Sequence, residues 1–454
     1  MGHVTVTAVR SSRGERVGWY FYDFASSTFS TTVVTVFLGP YLTAVASRAA
    51  GCTGPVDHCT RLLHPLGIPV SPGSLFPYVV SLSVLLSVLV MPVVGAIADR
   101  SARKREILAV TAYAGVAATV LLLFVTDDRY LLGAALFLVA NVAFGASLVV
   151  YYSYLPQLAG PDQRDAVSSA GWAVGYLGGG LLLLLNVVAV FVGDRQGWST
   201  AEVARWSIVS AGVWWAAFTT IPLLTLRNRS PLEGVPAGSP LVAGFRQLAR
   251  TARELRAYPL TLLFLVAFLV YNDGIQTVIS LASVYGTEEL RLPQSVLVPT
   301  ILVVQFLAFG GALLLGGVAR RIGAKRTILL SLALWTAVVV AAYLLPAGRA
   351  VPFVLLGGAI GLVMGGSQAL SRSLFSQLIP PGREAEYFSL YMIGDRGTSW
   401  IGPLIFGVVF QVTHDYRAAI FSLIAFFVLG FAALAAVPVR RAIAEAGNTP
   451  PLKV

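Results

Sequence analysis

Long apolar runs, separated by short polar segments, make up most of this chain. The runs are continuous and reach roughly 20 residues, the length that an α-helix needs to cross a bilayer. The strands of a membrane β-barrel would alternate between apolar and polar residues, so the pattern excludes that class. The sequence therefore predicts an all-α membrane protein with twelve transmembrane helices, at 18–46, 75–98, 106–126, 130–154, 166–192, 204–226, 259–285, 294–318, 327–345, 351–376, 386–411 and 417–437.

Composition narrows the class in the same direction. Hydrophobic residues make up 56% of the 454 residues and charged residues 12%, and the mean hydropathy is +0.77. Soluble domains usually carry about 25% charged residues. A surface this apolar needs lipid around it, so we expect the bilayer to be a main partner. The first 17 residues are polar and basic and show no cleavable signal pattern, so we expect the first helix to act as its own insertion signal.

The distribution of Lys and Arg predicts the orientation. If both termini are cytoplasmic, 22 of the 32 Lys and Arg residues lie in cytoplasmic segments, 8 lie outside and 2 lie within spans. Cytoplasmic loops of membrane proteins carry such an excess of positive charge. The same loops explain the formal net charge of +11 without a nucleic-acid partner, because they face an anionic leaflet.

Residues 227–258 form the longest polar stretch between predicted spans and divide the chain into two halves, 1–226 and 259–454. The stretch 228–240 is rich in Ser, Pro and Gly, which is typical of a flexible linker. From 241 to 258 the apolar and basic residues form separate helical stripes. That pattern fits an amphipathic helix on the inner membrane surface, and it fits a solvated linker helix equally well.

Short segments of the first half resemble segments of the second. Three pairs of segments recur in the same order, as expected of two pseudo-symmetric six-helix bundles that arose by duplication. The pairs are Gly95-Ala-Ile-Ala-Asp99-Arg100-Ser-Ala-Arg103-Lys104-Arg105 with Gly316-Gly-Val-Ala-Arg320-Arg321-Ile-Gly-Ala-Lys325-Arg326, Gln157-Leu158 with Gln377-Leu378, and Tyr22-Asp23 with Tyr271-Asn272-Asp273.

The loop that begins at Gly95 is similar to the signature between helices 2 and 3 of the major facilitator superfamily. Within that superfamily, the chain resembles the vacuolar amino-acid-effluxer-like family nearly end to end. The segments that carry this resemblance are Tyr22-Asp23-Phe-Ala-Ser-Ser-Thr-Phe, Tyr271-Asn272-Asp273-Gly274-Ile-Gln276-Thr277-Val-Ile, and Gly365-Gly366-Ser367-Gln368-Ala-Leu-Ser371-Arg372-Ser373 through Gly382-Arg383-Glu384-Ala-Glu386. The chain departs from the family pattern in span 11, where Asp395 and Arg396 stand in place of Gly and Lys.

Asp99 ends span 2 and is predicted to belong to a conformational gate. A carboxylate at a helix C-terminus opposes the helix dipole, so it needs cations or another helix N-terminus nearby. The resemblance implies that Asp99 packs against the start of helix 11 and braces the outward-facing state. Arg100, Arg103, Lys104 and Arg105 supply nearby cations. The second-half counterpart is Arg320, so we expect an asymmetric brace.

Charged residues inside the bilayer usually face a cavity or a partner. Asp273, near the middle of span 7, is a candidate proton or substrate carboxylate, or a hydrogen-bonding centre that holds a broken helix. Arg396 is expected to grip a substrate carboxylate, or to pair with a neighbouring helix. The roles of Asp395 and Asp23 stay open. Arg372, near the inner end of span 10, could extend its side chain to the membrane interface, and a structural role is favoured over a functional one.

Neutral polar and aromatic residues within the spans complete a candidate cavity, although core packing explains each of them equally well. They are Tyr22, Asn141, Tyr151, Tyr152, Trp172, Asn272, Gln276, Gln368 and Trp400. Glycines recur every four residues at 171, 175 and 179 and at 357, 361 and 365. These are expected to let helices approach closely.

The only two cysteines, Cys52 and Cys59, share a loop that is predicted to lie outside the cell. The spacing and the compartment both permit a disulfide. His58 and His64 are nearby, but the loop has no zinc-type motif, so no metal site is predicted.

These features together favour a secondary transporter over an enzyme. We find no nucleotide-binding glycine loop and no catalytic motif, so no ATP-driven pump and no cofactor is predicted. We expect a monomer in the plasma membrane that moves a small solute by alternating access. The resemblance implies amino-acid efflux, driven by the proton gradient or by the solute's own gradient. The alternatives are an exporter of drugs or other amphiphiles and a non-transporting sensor or scaffold.

Overall fold

The computed structural model describes residues 11–52, 61–229, 253, 255–292, 294–397, 401–413 and 415–453. This part of the chain is helical, and its strand pairing is limited to one isolated bridge between Leu63 and Val70. The α-helices are α1 Arg13–Thr28, α2 Leu38–Ala49, α3 Pro72–Arg100, α4 Lys104–Leu121, α5 Tyr130–Tyr152, α6 Leu155–Leu158, α7 Arg164–Arg195, α8 Thr200–Thr225, α9 Pro259–Val284, α10 Gln294–Ile322, α11 Ala324–Leu344, α12 Ala350–Gln377, α13 Glu384–Gly397, α14 Ile401–Thr413, α15 Tyr416–Ser422, α16 Ile424–Ala436 and α17 Val439–Glu445. Shorter turns are the 3₁₀ segments Pro65–Gly67, Leu122–Phe124, Pro161–Gln163 and Leu255–Ala257 and the π-helical segments Phe29–Phe37 and Tyr285–Glu289.

The prediction of an all-α membrane protein is confirmed. Eleven helical segments in the described residues are long and apolar enough to cross a membrane. The remaining predicted span, 386–411, corresponds to α13 and α14, and residues 398–400 between them lie outside the described part. Large apolar side chains such as Leu85, Phe191 and Leu355 are exposed on the helix surfaces. An exposed apolar belt of this kind suits lipid and not water.

Local sequence explains where the first span starts and why its middle is irregular. Ser12 caps α1: its hydroxyl accepts a hydrogen bond from the Glu15 backbone N–H, and the Glu15 carboxylate accepts one from the Ser12 N–H. After α1 the chain widens into the π-helical segment Phe29–Phe37 before continuing as α2. Such wide turns occur often at functional sites, and this one lies against the cavity described below.

The glycine repeats let helices pack closely, as predicted. A Cβ on Gly175 of α7 would lie 2.9 Å from the Ser27 hydroxyl oxygen of α1, and one on Gly365 of α12 would lie 2.3 Å from the Ala308 carbonyl oxygen of α10. Gly178, which is outside the predicted repeat, adds a closer contact, since its Cβ would lie 2.3 Å from the Phe24 carbonyl oxygen. No side chain fits at such distances. Small residues therefore fix the separation between α7 and α1 and between α12 and α10.

Helices on the two sides of residues 227–258 meet along several pairings. In the described residues the main ones are α3 with α13, α5 with α13, α7 with α10 and α7 with α12, and α6 also meets α12. The C-terminal tail also crosses, because the Leu452 N–H donates to Asp162 Oδ1 at 2.7 Å. Below, the N-half means the helices before residue 227 and the C-half those after residue 258. Most of the linker lies outside the described residues. Of the predicted amphipathic helix at 241–258, only residues 253 and 255–258 are described, and they include the 3₁₀ turn Leu255–Ala257.

The structure describes one of the two cysteines for which the sequence permits a disulfide. Cys52 is disulfide-bonded, and Cys59 lies outside the part of the chain that the structure describes.

Candidate functional site

A cavity of about 710 Å³ lies between the two halves. On α9 its lining begins at Gln276, well after the helix starts at Pro259, and on α12 it runs from Phe353 only as far as Gln368. The cavity therefore lies toward the side of the membrane that is predicted to be outside. On the predicted cytoplasmic side, contacts between the N-half and the C-half fill the space between them.

Two carboxylates lie at the inner end of this cavity. Asp23 of α1 and Asp395 of α13 are the charged side chains among its described lining residues. Several of the predicted neutral residues line it as well, together with others that the sequence analysis did not single out. The lining includes Asn141, Tyr152, Trp172, Gln276 and Gln368 from the prediction, and Tyr176 and Gln305 in addition.

The first inner closure is the predicted brace at Asp99. Its Oδ1 accepts a hydrogen bond from the Ala385 N–H at 2.9 Å, and its Oδ2 accepts one from the Glu386 N–H at 2.8 Å. Both donors belong to the first turn of α13, where backbone N–H groups have no partner within the helix. The Lys104 ammonium adds an ion pair of 3.2 Å. A carboxylate of the N-half thus caps a helix of the C-half.

The surroundings of Asp99 explain why its motif begins with a glycine. A Cβ on Gly95, one turn earlier, would lie 2.6 Å from the Ala385 carbonyl oxygen, so only glycine lets α3 approach α13 this closely. Arg105 pairs with Glu106 at 3.5 Å in an exposed position. Arg100 occupies the last turn of α3. Lys104 thus supplies one of the cations expected around Asp99.

The corresponding position in the C-half works differently. Gly316 of α10 packs against Ser169 of α7, where a Cβ would lie 2.5 Å from the Ser169 hydroxyl oxygen. Arg320, the counterpart of Asp99, is exposed. The expected asymmetry is thus present: the helices approach closely on both sides, but only the N-half motif ends in a buried carboxylate.

The second closure joins α7 of the N-half to α12 of the C-half. The Arg164 guanidinium donates to the Ser376 carbonyl oxygen at 2.8 Å. The Ser373 hydroxyl donates to Asp165 Oδ1 at 2.5 Å. The side chains of Arg164 and Asp165 are both buried. These two contacts cross the interface between specific polar partners, and they lie about one to two turns from the inner end of the cavity.

Arg372 of α12 forms the deepest of these contacts, and the prediction that it reaches the membrane interface is wrong. It is fully buried, and its Nη1 lies 3.2 Å from Asp23 Oδ2. Its Nε and Nη2 donate to the hydroxyl and the carbonyl of Ser168, each at 2.9 Å. The Tyr151 hydroxyl donates to the same Asp23 oxygen at 2.8 Å. A carboxylate and a hydroxyl buried in the N-half offset the cost of burying the guanidinium, so it does not need water.

Aromatic rings surround the same guanidinium. Its central carbon lies 4.8 Å from the ring centroid of Tyr152, 4.9 Å from that of Trp19, 5.4 Å from that of Trp172 and 5.8 Å from that of Tyr151. Rings attract a cation at these distances. We call these four residues the aromatic cage. All four belong to the N-half, so Arg372 is a C-half side chain inserted into an N-half pocket.

In span 7, Tyr271 and Asn272 repeat Tyr22 and Asp23 but make different contacts. The Asn272 amide nitrogen donates to Asp395 Oδ1 at 2.8 Å, and the Tyr271 hydroxyl shares a hydrogen bond of 2.7 Å with the Ser371 hydroxyl. These contacts stay within the C-half. The hydrogen bond from Asn272 holds Asp395, one of the two cavity carboxylates, in place.

Asp273 lies outside the cavity lining. Its contacts fit the second role considered for it, a hydrogen-bonding centre that holds a broken helix. Its Oδ2 accepts a hydrogen bond from the Gly402 N–H at 2.7 Å, at the start of α14. A Cβ on Gly402 would overlap the Thr277 hydroxyl, which itself donates to the Asp273 carbonyl oxygen. This geometry favours a carboxylate that holds the second segment of span 11. The proton-carrying role of Asp273 stays a prediction.

Three other predicted residues do not contribute to the described site. Tyr22 is fully buried, with its ring centroid 4.9 Å from that of Tyr151, and packs in the core beside the cavity. The side chain of Arg396 and the whole of Trp400 lie outside the described part, so their substrate-binding roles also stay predictions. The sequence analysis missed Trp19, although it stands one helical turn before Asp23 on the same face.

Comparisons with known proteins agree with this arrangement. The family model described as "Vacuole effluxer Atg22 like" matches residues 11–447. The uncharacterized MFS-type transporter YxiO of Bacillus subtilis is 26% identical, over 92% of this chain and 94% of its own length. Autophagy-related protein 22 of Yarrowia lipolytica is 29% identical, over 81% of this chain and 77% of its own.

Solved structures share the fold at low sequence identity. The proton:xylose symporter XylE, bound to 6-bromo-6-deoxy-D-glucose, has a TM-score of 0.68 at 13% identity, covering 93% of this chain and 94% of its own. A bacterial homologue of the iron transporter ferroportin, in an outward-facing state, has a TM-score of 0.63 at 13% identity, covering 93% and 98%. The fold is therefore that of the major facilitator superfamily.

Proposed function

The chain belongs to the Atg22-like vacuole effluxer family of major facilitator transporters, and from that premise we propose that it exports amino acids across the plasma membrane by alternating access. In this proposal both termini are cytoplasmic, the protein works as a monomer, and the two halves form the moving bodies. The solute is a small molecule with both an ammonium and a carboxylate group.

The observation that carries this proposal is the position of the cavity relative to its closures. Asp23 and Asp395 lie at the inner end of a cavity of about 710 Å³, which has room for any amino acid. Below it, α3 meets α13 and α7 meets α12 through charged and polar contacts with specific partners. Contacts of this kind can separate and re-form as units, as rocking of one bundle against the other requires.

Charge at the cavity end supports the choice of solute. Carboxylates at the inner end attract an ammonium group, and the amides of Gln276 and Gln368 offer hydrogen bonds to a carboxylate. Arg396 follows Asp395 directly and keeps its predicted role as the carboxylate-binding cation. The apolar part of the lining accommodates an aliphatic or aromatic side chain.

A proton gradient is a suitable driving force. One charge that crosses 100 mV gains about 2.3 kcal/mol, which is sufficient to bias a two-state cycle. Asp23 and Asp395 line the cavity, so they are better placed than Asp273 to exchange a proton with water from the open side.

The test is flux in proteoliposomes. Purified protein is reconstituted, loaded with a mixture of labelled amino acids, and subjected to an imposed pH gradient and membrane potential. We expect export of at least one amino acid, and we expect Asp395→Asn to reduce it at least about tenfold, as removal of a partner from a charged contact does. Asp415→Asn, in an exposed loop, is the matched control and should retain flux. Binding of amino acids with no flux under any gradient would contradict the proposal and favour a sensor.

Export of organic cations or other amphiphiles is the second candidate. It is supported by the described lining, whose charged residues are both acidic and whose rings include Tyr152, Trp172 and Tyr176. The same liposomes, loaded with a lipophilic organic cation, separate the two candidates. Flux of the cation without flux of any amino acid would replace the first proposal by the second.

A further inference from the structure

The Asp23 carboxylate is reached from two sides. From the inner side it holds the Arg372 guanidinium at 3.2 Å, and that cation belongs to the opposite half. From the outer side Asp23 lines the cavity in which the solute is proposed to bind. A single acidic group therefore stands between the cavity and the inner closure.

All the described polar contacts of Arg372 run to the N-half. Besides Asp23, they are two hydrogen bonds to Ser168, and the four rings of the aromatic cage come from the N-half as well. The halves can separate on the inner side only if Arg372 leaves this pocket. Its departure would strand the Asp23 carboxylate, buried and without its cation, which is an unfavourable state.

We propose that the ammonium group of the solute replaces Arg372 at Asp23, so that solute binding releases the inner closure. This inference rests on the proposed function, because it assigns one residue of the cavity to the solute's cationic end. An incoming ammonium keeps the carboxylate paired while the guanidinium withdraws. A solute that has a carboxylate but no amine cannot do so, and it would leave the closure in place. Asp23 thereby couples specificity for amines to the opening of the inner side.

The proposal predicts competition between Arg372 and an amine. The probe is phenethylamine, and 3-phenylpropionate, which has the same ring but the opposite charge, is its control. Binding is measured by titration calorimetry on the purified full-length protein. We expect Arg372→Gln to tighten phenethylamine binding at least about tenfold, because the competing cation is gone, and Asp23→Asn to weaken it by a similar factor. Neither change should create binding of 3-phenylpropionate.

A second measurement follows the inner closure itself. Ala369, fully buried on α12, accepts a hydrogen bond from Ser168 across the interface. In a background carrying Cys52→Ser and Cys59→Ser, an Ala369→Cys reporter is treated with a maleimide. Phenethylamine should raise the rate of labelling several-fold in the protein with native Asp23, and it should have no effect when Asp23→Asn is added.

Arg164→Gln is the matched control. Arg164 is also a buried cation that crosses between α7 and α12, but it contacts Ser376 and Ala159 and not Asp23. Its loss should raise labelling of the reporter in the absence of ligand, but phenethylamine should still raise that labelling further, because Arg372 is still present at Asp23 to be displaced. If Arg372→Gln does not fold, Arg372→Lys, which keeps the charge but loses the two hydrogen bonds to Ser168, should show the same tightening to a smaller degree.

Two outcomes would overturn the inference. One is equal phenethylamine affinity before and after Asp23→Asn. The other is an Arg372→Gln protein that is less stable but binds the amine no more tightly, which would mean that Arg372 has a purely structural role. Neither outcome touches the proposed function, which is decided separately by amino-acid flux through the unmodified protein.

Discussion

Corresponding positions in the two halves carry different charges, and the difference follows one rule. Asp23 corresponds to Asn272, and Asp99 corresponds to Arg320. Each N-half acid reaches across to the C-half: Asp23 binds Arg372, and Asp99 binds backbone N–H groups of α13.

The C-half counterparts do not cross. Asn272 binds Asp395 within its own half, and Arg320 is exposed. Helix packing repeats between the halves, because the glycines at 95 and 316 both allow close approach. The charge at these two positions, Asp23 and Asp99, does not repeat. The closure of the predicted cytoplasmic side therefore depends on carboxylates of the N-half and hydrogen-bond donors of the C-half, so a sequence change on one side cannot be balanced by its symmetry mate.

The largest effect is expected at Arg372. Arg372→Met leaves the Asp23 carboxylate buried without its cation, and breaking a buried pair from one side costs about 3–5 kcal/mol. The double variant Asp23→Asn with Arg372→Met should be more stable than Arg372→Met alone, because the stranded charge is gone. Thermal unfolding of the purified proteins, compared as a double-mutant cycle, measures the coupling. Additive losses would mean that the two residues do not act as a pair.

A smaller effect is expected at Asp99. Asp99→Asn keeps the size of the side chain but removes its charge and one acceptor, and hydrogen bonds to charged groups contribute about 1.5–3 kcal/mol. The expected result is a shift toward the state that is open on the predicted cytoplasmic side, seen as faster labelling of a reporter cysteine there. Arg320→Gln, its counterpart, should shift nothing. Equal shifts in both variants would break the comparison between the halves.

The smallest effect distinguishes the two tyrosines. The Tyr151 hydroxyl donates to a carboxylate, whereas the Tyr271 hydroxyl bonds to a neutral serine. Tyr151→Phe should therefore cost about 1.5–3 kcal/mol and Tyr271→Phe about 0.5–1.5 kcal/mol. Chemical denaturation of both variants in the same detergent would check the order. A reversed order would show that Asp23 does not carry a negative charge in this state.

Much of the fold could be predicted from the sequence because each signal is local. An apolar run of the right length predicts a helix, and a repeated glycine predicts close packing. The brace at Asp99 was also accessible, since the resemblance of its motif implied the start of helix 11. The structure confirms the packing and the contact.

The site was harder to predict because its contacts are distant in the chain. Arg372 stands near the end of an apolar run, which made the membrane interface the natural destination, and nothing local indicates a partner 349 residues away at Asp23. Asp273 lies near mid-membrane, yet it caps α14, because sequence depth does not say which way a helix face points. In both cases the deciding factor was the relative rotation of two helices.

The aromatic cage gives the protein a native optical probe. Two of the eight tryptophans, Trp19 and Trp172, have ring centroids 4.9 Å and 5.4 Å from the Arg372 guanidinium carbon. The emission of an indole responds to the electric field of a neighbouring charge, so withdrawal of Arg372 would shift the fluorescence of these two rings. Opening of the inner side could then be timed in unlabelled protein by stopped-flow mixing, with no dye attached to the moving helices.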